Sequence, residues 1–519
     1  MARDTDRRCA VLTRLTQVSF LAFAALCGVV PAQAQSWRIV PQVTVTETYS
    51  DNISLAPADR RESDFVTDIT PSLHIDGKRG RSQLRLDYQM HNLIYAKEPA
   101  RNNTQHALNA TGKVEAIENF FFIDGQASIT QDQISAFGTQ PTNNASVTGN
   151  RTESRTFQLS PYVRGQFASF ADYLLRYSVT TYSTTADSSV DYRVHDVSGT
   201  LNGRTGIASL GWTVDGSRQI IQYDRGRDAE ADRIRGVLIY QFDPQFRVTT
   251  TAGYESNDYA TFVKESSSTY GAGFEWAPSV RTNVNAVWEK RFFGNSWAYG
   301  ARYRTPLTAW SFIDRRDVTT NALNQAARGS GVAFDLLFNA LASRIPDPVE
   351  RATEANRLLQ QGGIPSDLNL PRDFLTSRVF TERRREASVT ILGKRNNLTL
   401  SIFRTDKEAI GEGSGTRDDF DVVPEVSESG ATAAFSHSLT PLSAVSALAS
   451  WQRSTGDNRS AASSNFESRQ WSLGTFYVTR FGPKTSGSLG YRHIRFAGAG
   501  EGNSGYRENA LTASVSVQF

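Results

Sequence analysis

Along most of this chain apolar and polar residues alternate one for one, the period of a β-strand whose two faces meet different surroundings. The last strand shows it plainly: Leu511, Ala513, Val515, Val517 and Phe519 share one face, while Thr512, Ser514, Ser516 and Gln518 share the other. The pattern recurs in Leu84, Leu86, Tyr88 and Met90 against Arg85, Asp87, Gln89 and His91, and again in Trp471, Leu473, Thr475 and Tyr477. Alternation alone suits a soluble sandwich as well as a barrel. The connections discriminate. Tight joints such as Asp243-Pro244-Gln245, Thr440-Pro441-Leu442 and Gly482-Pro483-Lys484 alternate with long polar stretches, among them Asp51 to Asp64, Asp132 to Thr152 and Thr405 to Val426. Short turns on one rim and long loops on the other are the asymmetry of an outer-membrane barrel. The walk from Trp37 to Phe519 predicts an all-β, transmembrane antiparallel β-barrel of about 22 strands, within a range of roughly 18 to 24.

One segment, 317–377, shifts to a helical period, with Phe334, Leu337, Phe338, Leu341 and Ile345 on one stripe. A second helix is announced by Asp347 as cap, Pro348 in the first turn and Glu350 three residues after the cap, and it stops at Gly362-Gly363. The expectation is a partly helical insert in one long outer loop, folded over or into the barrel mouth. It would either gate the bore or pack against the rim.

The N-terminus adds a compartment. Arg3, Arg7, Arg8 and Arg14 precede a short apolar run from Val18 to Val30, followed by Ala32-Gln33-Ala34, so residues 1–34 read as a secretory signal cleaved before Gln35. The barrel then occupies 35–519. Cys27 follows the large Leu26 rather than a small residue, which argues against a lipoprotein site. Both cysteines, Cys9 and Cys27, fall in the leader, so the mature chain has no thiol for a disulfide, a metal or a nucleophile. An even strand count puts both termini in the periplasm of a Gram-negative outer membrane.

Charge and motifs narrow the chemistry. Lys plus Arg number 56 against 53 Asp plus Glu, which excludes the large basic excess of a nucleic-acid binder. Only eight of the cations are lysine. A GC-rich genome explains that bias blandly; arginine lining a pore or gripping lipid phosphate explains it sharply. Trp37, Tyr49, Tyr95, Trp276, Trp288 and Trp310 fall near strand ends, as in the aromatic girdles of membrane barrels. The six histidines have no metal spacing, and no glycine-rich phosphate loop opens a helix. No catalytic, cofactor or metal residue is therefore assigned. A membrane-embedded hydrolase would need a serine beside His91, His106 or His437. Asp51-Asn52 could ligate calcium but reads more simply as a turn.

The stretch Thr46-Glu47-Thr48-Tyr49-Ser50-Asp51-Asn52 with Ser63-Asp64-Phe65-Val66-Thr67-Asp68-Ile69-Thr70-Pro71 resembles the N-terminal signature of outer-membrane proteins associated with PEP-CTERM/exosortase systems. Arg101-Asn102-Asn103-Thr104 and Gly149-Asn150-Arg151-Thr152-Glu153 running to Ser160-Pro161-Tyr162 agree with it. The resemblance implies a barrel linked to exopolysaccharide and surface-protein sorting loci, with an undefined biochemical task and no catalytic residues. With the architecture it gives the expectation of a non-enzymatic barrel acting in export or passage of material across the outer membrane, a closed scaffold or adhesion barrel with ligand-binding outer loops being the alternative. The expected partners of such a barrel are outer-membrane lipid and lipopolysaccharide and the barrel-assembly machinery, to which the resemblance adds exopolysaccharide export components. Leu511, Ala513, Val515, Val517 and the terminal Phe519 resemble the signature that the barrel-assembly machinery recognises.

Overall fold

The computed structural model describes residues 37–519 apart from 169, 187–190, 262, 321–336, 339–340, 342–344, 346–350, 352–353, 356–373, 412–417, 458–465 and 500–504. The leader, with Ala32, Ala34 and Gln35, lies outside the described residues, as do Phe334 and most of the helix expected from Asp347 to Gly363, of which Arg351, Glu354 and Ala355 are described and helical.

Among the described residues the chain forms 22 strands. The first eleven are β1 (Arg38–Ser50), β2 (Asp64–Arg79), β3 (Ser82–Tyr95), β4 (Asn103–Ile117), β5 (Phe121–Gln133), β6 (Arg151–Phe167), β7 (Ala171–Thr184), β8 (Tyr192–Arg204), β9 (Leu210–Tyr223), β10 (Ala229–Asp243) and β11 (Phe246–Asn257). The others are β12 (Glu265–Ser279), β13 (Thr282–Arg291), β14 (Gly294–Arg304), β15 (Thr308–Thr319), β16 (Val379–Leu392), β17 (Asn396–Ile410), β18 (Glu425–Thr440), β19 (Ser443–Asp457), β20 (Phe466–Arg480), β21 (Thr485–Ala499) and β22 (Tyr506–Gln518). Each pairs antiparallel with the next, and β1 pairs with β22, so the sheet closes on itself. A closed sheet has no edge and satisfies its whole backbone without water, which is what a bilayer demands.

Alternation becomes inside and outside. Along β22, Leu511 is 57% exposed and Val515 49%, whereas Glu508 between them and the loop rim is fully buried. The register carries this parity around the ring: outward Tyr49 faces Leu511 across the closing seam, and outward Phe65 faces Tyr49. Outward Trp276, Tyr299, Tyr303, Trp310 and Trp471 are all exposed. Tyr95 departs from its expected place in a girdle: it points inward and is 2% exposed.

Strands run further than the alternation suggested. β6 has 17 residues, against the roughly ten that cross a bilayer, so its upper part stands clear of hydrocarbon. β17 continues to Ile410 and β18 starts at Glu425, which shortens the expected Thr405 to Val426 loop. Asp317–Thr319 still belong to β15, so the insert leaves the wall at Thr320 rather than Asp317. On the loop rim β13 and β14 are joined by Phe292-Phe293 alone, the connection that escapes the long-loop pattern.

The resemblance motif has a mechanical use. Asp51 accepts from the backbone N–H and side-chain amide of Asn509, both at 2.7 Å, and Asn52 donates to the Arg507 carbonyl at 3.0 Å. Asn52 also bonds both backbone groups of Ala56, and Ser50 donates to Glu508 at 2.8 Å. Ser50-Asp51-Asn52 thus clasps the first strand to the last. Their side chains are committed to that seam, in agreement with a turn.

Candidate functional site

The inner wall is built from small hydroxyls and ion pairs. Serine ladders join neighbouring strands, Ser160 to Ser178 at 2.8 Å, Ser450 to Ser472 at 2.6 Å and Ser488 to Ser514 at 2.7 Å. On β5 to β13 the wall carries Arg176–Asp124 (3.0 Å), Arg235–Asp215 (3.0 Å), Arg233–Glu289 (2.6 Å) and Arg291–Glu255 (2.8 Å). Such a surface is made for water and polar solutes. Near the short-turn rim Phe122 and Tyr162 stack with ring centroids 5.0 Å apart, with the Arg164 and Arg176 guanidinium groups 4.4 and 4.1 Å from their faces.

Two chain segments fold into this space. The connection after β5 crosses the loop-side mouth: Tyr95 donates to the Ala145 carbonyl at 2.8 Å, Tyr506 to Gln140 at 3.2 Å and Ser468 to Ala136 at 3.1 Å. Strands on both sides of the β1–β22 seam therefore grip one loop. Its apolar tip, Ala136 and Phe137, buries against Phe374, Phe380, Phe420, Val423 and Val426. Gly456 on β19 leaves room for this contact, since a Cβ there would lie 2.9 Å from Phe137 and 2.8 Å from Val423. Leu375 reaches the opposite wall, packing with Tyr182, Tyr192, Val194, Ile221 and Ala229 of β7 to β10.

The short helix Asp419–Val422 anchors the tip. Asp418 caps it through a reciprocal capping box, Phe420 N–H to Asp418 at 2.9 Å and Asp418 N–H to Asp421 at 2.9 Å. Asp419 then accepts from the Ala136 N–H at 2.7 Å. Burial pushes its carboxyl up to about 6, outweighing the hydrogen bonds from Ala136 and Ser135 that favour the charged form.

The insert goes deeper. Leu337, Leu341 and Ala355 bury against Ala309, Leu392 and Ala434, with Phe338, Ile345 and Leu448 packed around them. Four of the five residues of the expected stripe, all but Phe334, are thus described and lie together. Ala309 is the second residue of β15 and Leu392 the last of β16, both beside the short turns. The insert leaves the wall at the loop rim, so it descends the lumen by about ten residues of tilted strand, roughly 25 Å along the barrel axis. Burial of its apolar stripe is possible because the polar parity of the wall is broken there by Leu392, Ala434 and Leu448.

Histidines do not assemble a hydrolase among the described residues. His91 meets Asp68 at 2.8 Å and Thr70 at 3.0 Å, both through Nδ1, whereas a relay needs orienter and nucleophile on opposite ring nitrogens. His106 faces outward beside Tyr88 (2.9 Å) and His437 beside Asn396 (2.6 Å), and among the described residues no serine hydroxyl bonds a histidine. No group of three or more metal-ligating side chains occurs among the described residues. Outward-facing Leu511, Ala513, Val515 and Val517 lie on β22, and the Phe519 N–H bonds the Pro41 carbonyl at 2.9 Å. Sequence reasoning placed the loop after β5 at Asp132 to Thr152 but missed its course across the mouth, and it missed the inward apolar residues. Their signal was an apolar side chain on the polar parity, as in Leu448, Ile494 and Phe496.

The closed antiparallel ring, apolar outside and largely polar inside, defines a transmembrane β-barrel of the outer-membrane class. No family model matches the sequence, and no curated protein does either. Solved structures similar in fold include the FrpB iron transporter of Neisseria meningitidis, at 9% identity and TM-score 0.49, covering 92% of this chain and 81% of that one. The siderophore receptor PirA of Pseudomonas aeruginosa aligns at 9% identity and TM-score 0.39, covering 94% and 81%. OccK2 (OpdF) of Pseudomonas aeruginosa, in complex with glucuronate, aligns at 9% identity and TM-score 0.35, covering 93% and 98%.

Proposed function

We propose that this protein is a passive, non-enzymatic conduit of the Gram-negative outer membrane whose bore is set by its own insert. The observation that carries the reading is the apolar stripe of Leu337 and Leu341 seated on the inner wall beside the short turns, within a lumen otherwise lined by hydroxyls and ion pairs. Water fills the polar channel, charged side chains select among solutes, and the insert limits the passage. The short turns and both chain ends face the periplasm, following the loop asymmetry of such barrels. The sequence resemblance adds the cargo: material of an exopolysaccharide or exosortase-linked surface system, passed on by export components on the periplasmic side.

Planar-bilayer conductance of the refolded protein tests this. The wild type should conduct weakly and the variant lacking residues 321–373 strongly; silence from both would sink the conduit. A scaffold reading is favoured by one observation, the loop after β5 sealed across the mouth. Gene deletion separates the two, because loss of a conduit traps polysaccharide in the periplasm and loss of a scaffold leaves secretion intact.

A further inference from the structure

On the outer face of β15 to β22 the strand register assembles a belt that the linear sequence hides. Outward Arg316 faces Arg383, and Arg385 faces Arg404. Arg453 faces Arg469, and Arg495 faces Arg507. Ser429 links the middle of the series, pairing with Arg404 on one side and Arg453 on the other. On each strand the arginine lies toward the loop rim from the outward apolar run: beyond Leu400 and Ile402 on β17, Trp451 on β19, Leu473 and Trp471 on β20, and Leu511 on β22.

Like charges directly opposite each other destabilise a sheet, yet four such pairs stand in succession. Three carboxylates within the belt offset them only in part. Asp314 takes Arg383 at 2.9 Å, Asp406 is shared by Arg385 and Arg404, and Glu467 is shared by Arg453 and Arg469. Arg316, Arg495 and Arg507 have no carboxylate within ion-pair distance among the described residues. Glu408 and Glu425 come further out toward the loops. The opposite flank is different: Arg218 and Lys264 there share Glu230 and Asp232, and among the described residues no two outward arginines face each other.

We propose that this belt binds the phosphorylated head of an outer-leaflet glycolipid of the lipid A type, with its acyl chains lying on Ile402, Trp451, Trp471 and Leu473. A guanidinium fork matches a phosphate, and adjacent strands about 4.8 Å apart present several forks to a head that carries more than one phosphate. A surplus of unneutralised cations at the boundary of hydrocarbon is what an anionic lipid would complete. The inference rests on the orientation given above, which puts the loop rim in the outer leaflet.

Native mass spectrometry of the full-length barrel in detergent micelles tests it, with diphosphoryl lipid A, its dephosphorylated form, phosphatidylglycerol and inorganic phosphate as probes. Diphosphoryl lipid A should be retained, and the Arg404→Gln/Arg453→Gln/Arg469→Gln/Arg495→Gln variant should lose about tenfold or more in retention, each charge-assisted contact being strong. Arg155→Gln/Arg193→Gln/Arg218→Gln on the other flank should bind like wild type. Equal retention by the belt variant, equal loss by the flank variant, or equal binding of the dephosphorylated form overturns the proposal, as does full competition by free phosphate. Preference for phosphatidylglycerol overturns it together with the assigned orientation, whereas binding without conductance overturns only the conduit. Heat-modifiable gel migration reports folding; if the fourfold variant fails to fold, Arg495→Gln/Arg507→Gln, which breaks no ion pair, carries the same comparison.

Discussion

Single residues on the inner wall show where polarity stabilises and where it is a liability. Lys407 and Glu428 form an ion pair at 3.0 Å with side chains 1% and 0% exposed, and the ammonium lies 5.0 Å from the Phe374 ring. Removing Lys407 takes the ammonium away from a fully buried carboxylate. Lys407→Met should therefore cost about 3–5 kcal/mol, and adding Glu428→Gln should recover most of it. Urea unfolding of the refolded barrel measures both; a single variant as stable as wild type would contradict the burial of this pair. Residue-level chemistry of this kind was only half legible in the sequence. Alternation defines an inner face, but Lys407 fell within the expected Thr405 to Val426 loop, and its pairing with Glu428 needs the β17–β18 register, which nothing local specifies.

At the scale of elements, the loop after β5 and the helix Asp419–Val422 form one packed unit whose stability depends on pH. The Asp419 carboxyl, normally near 3.8, is pushed up to about 6 by burial. The charged form is thus disfavoured in the packed arrangement. Packing is fully favoured below the ordinary carboxylate range and loses that contribution as pH rises through about 6. Backbone amides of 136–150 should be better protected from hydrogen exchange at pH 5 than at pH 7.5, after correction for intrinsic rates, and Asp419→Asn should remove the difference. A difference that persists in Asp419→Asn would assign the effect to another group. The insert was readable as helical from the spacing of Leu337, Phe338, Leu341 and Ile345. Its depth was not, because depth is fixed by Ala309, Leu392 and Ala434, which lie on three other elements.

For the whole molecule, strand count and closure followed from period-two alternation, since the lipid-facing positions are mostly apolar and the inner ones mostly polar. The arginine belt escaped because its members are dispersed along the chain and meet only through lateral pairing. Closure brings together residues as far apart in sequence as Thr44 and Ser516, whose hydroxyls bond at 3.0 Å. Neighbouring strands can zip locally, while the seam must wait for the final one, the contact with the largest loop-closure cost. The backbone on either side of that seam is nevertheless continuous in geometry, with Pro41 and Phe519 hydrogen-bonded at one rim. A ring with no intrinsic beginning tolerates being cut elsewhere. A circular permutant that links residue 519 to residue 37 through a short glycine-serine turn and opens between 458 and 465 should refold in detergent to the same heat-modifiable species. In living cells it should assemble poorly, because its terminal strand would no longer be the one that ends in Phe519.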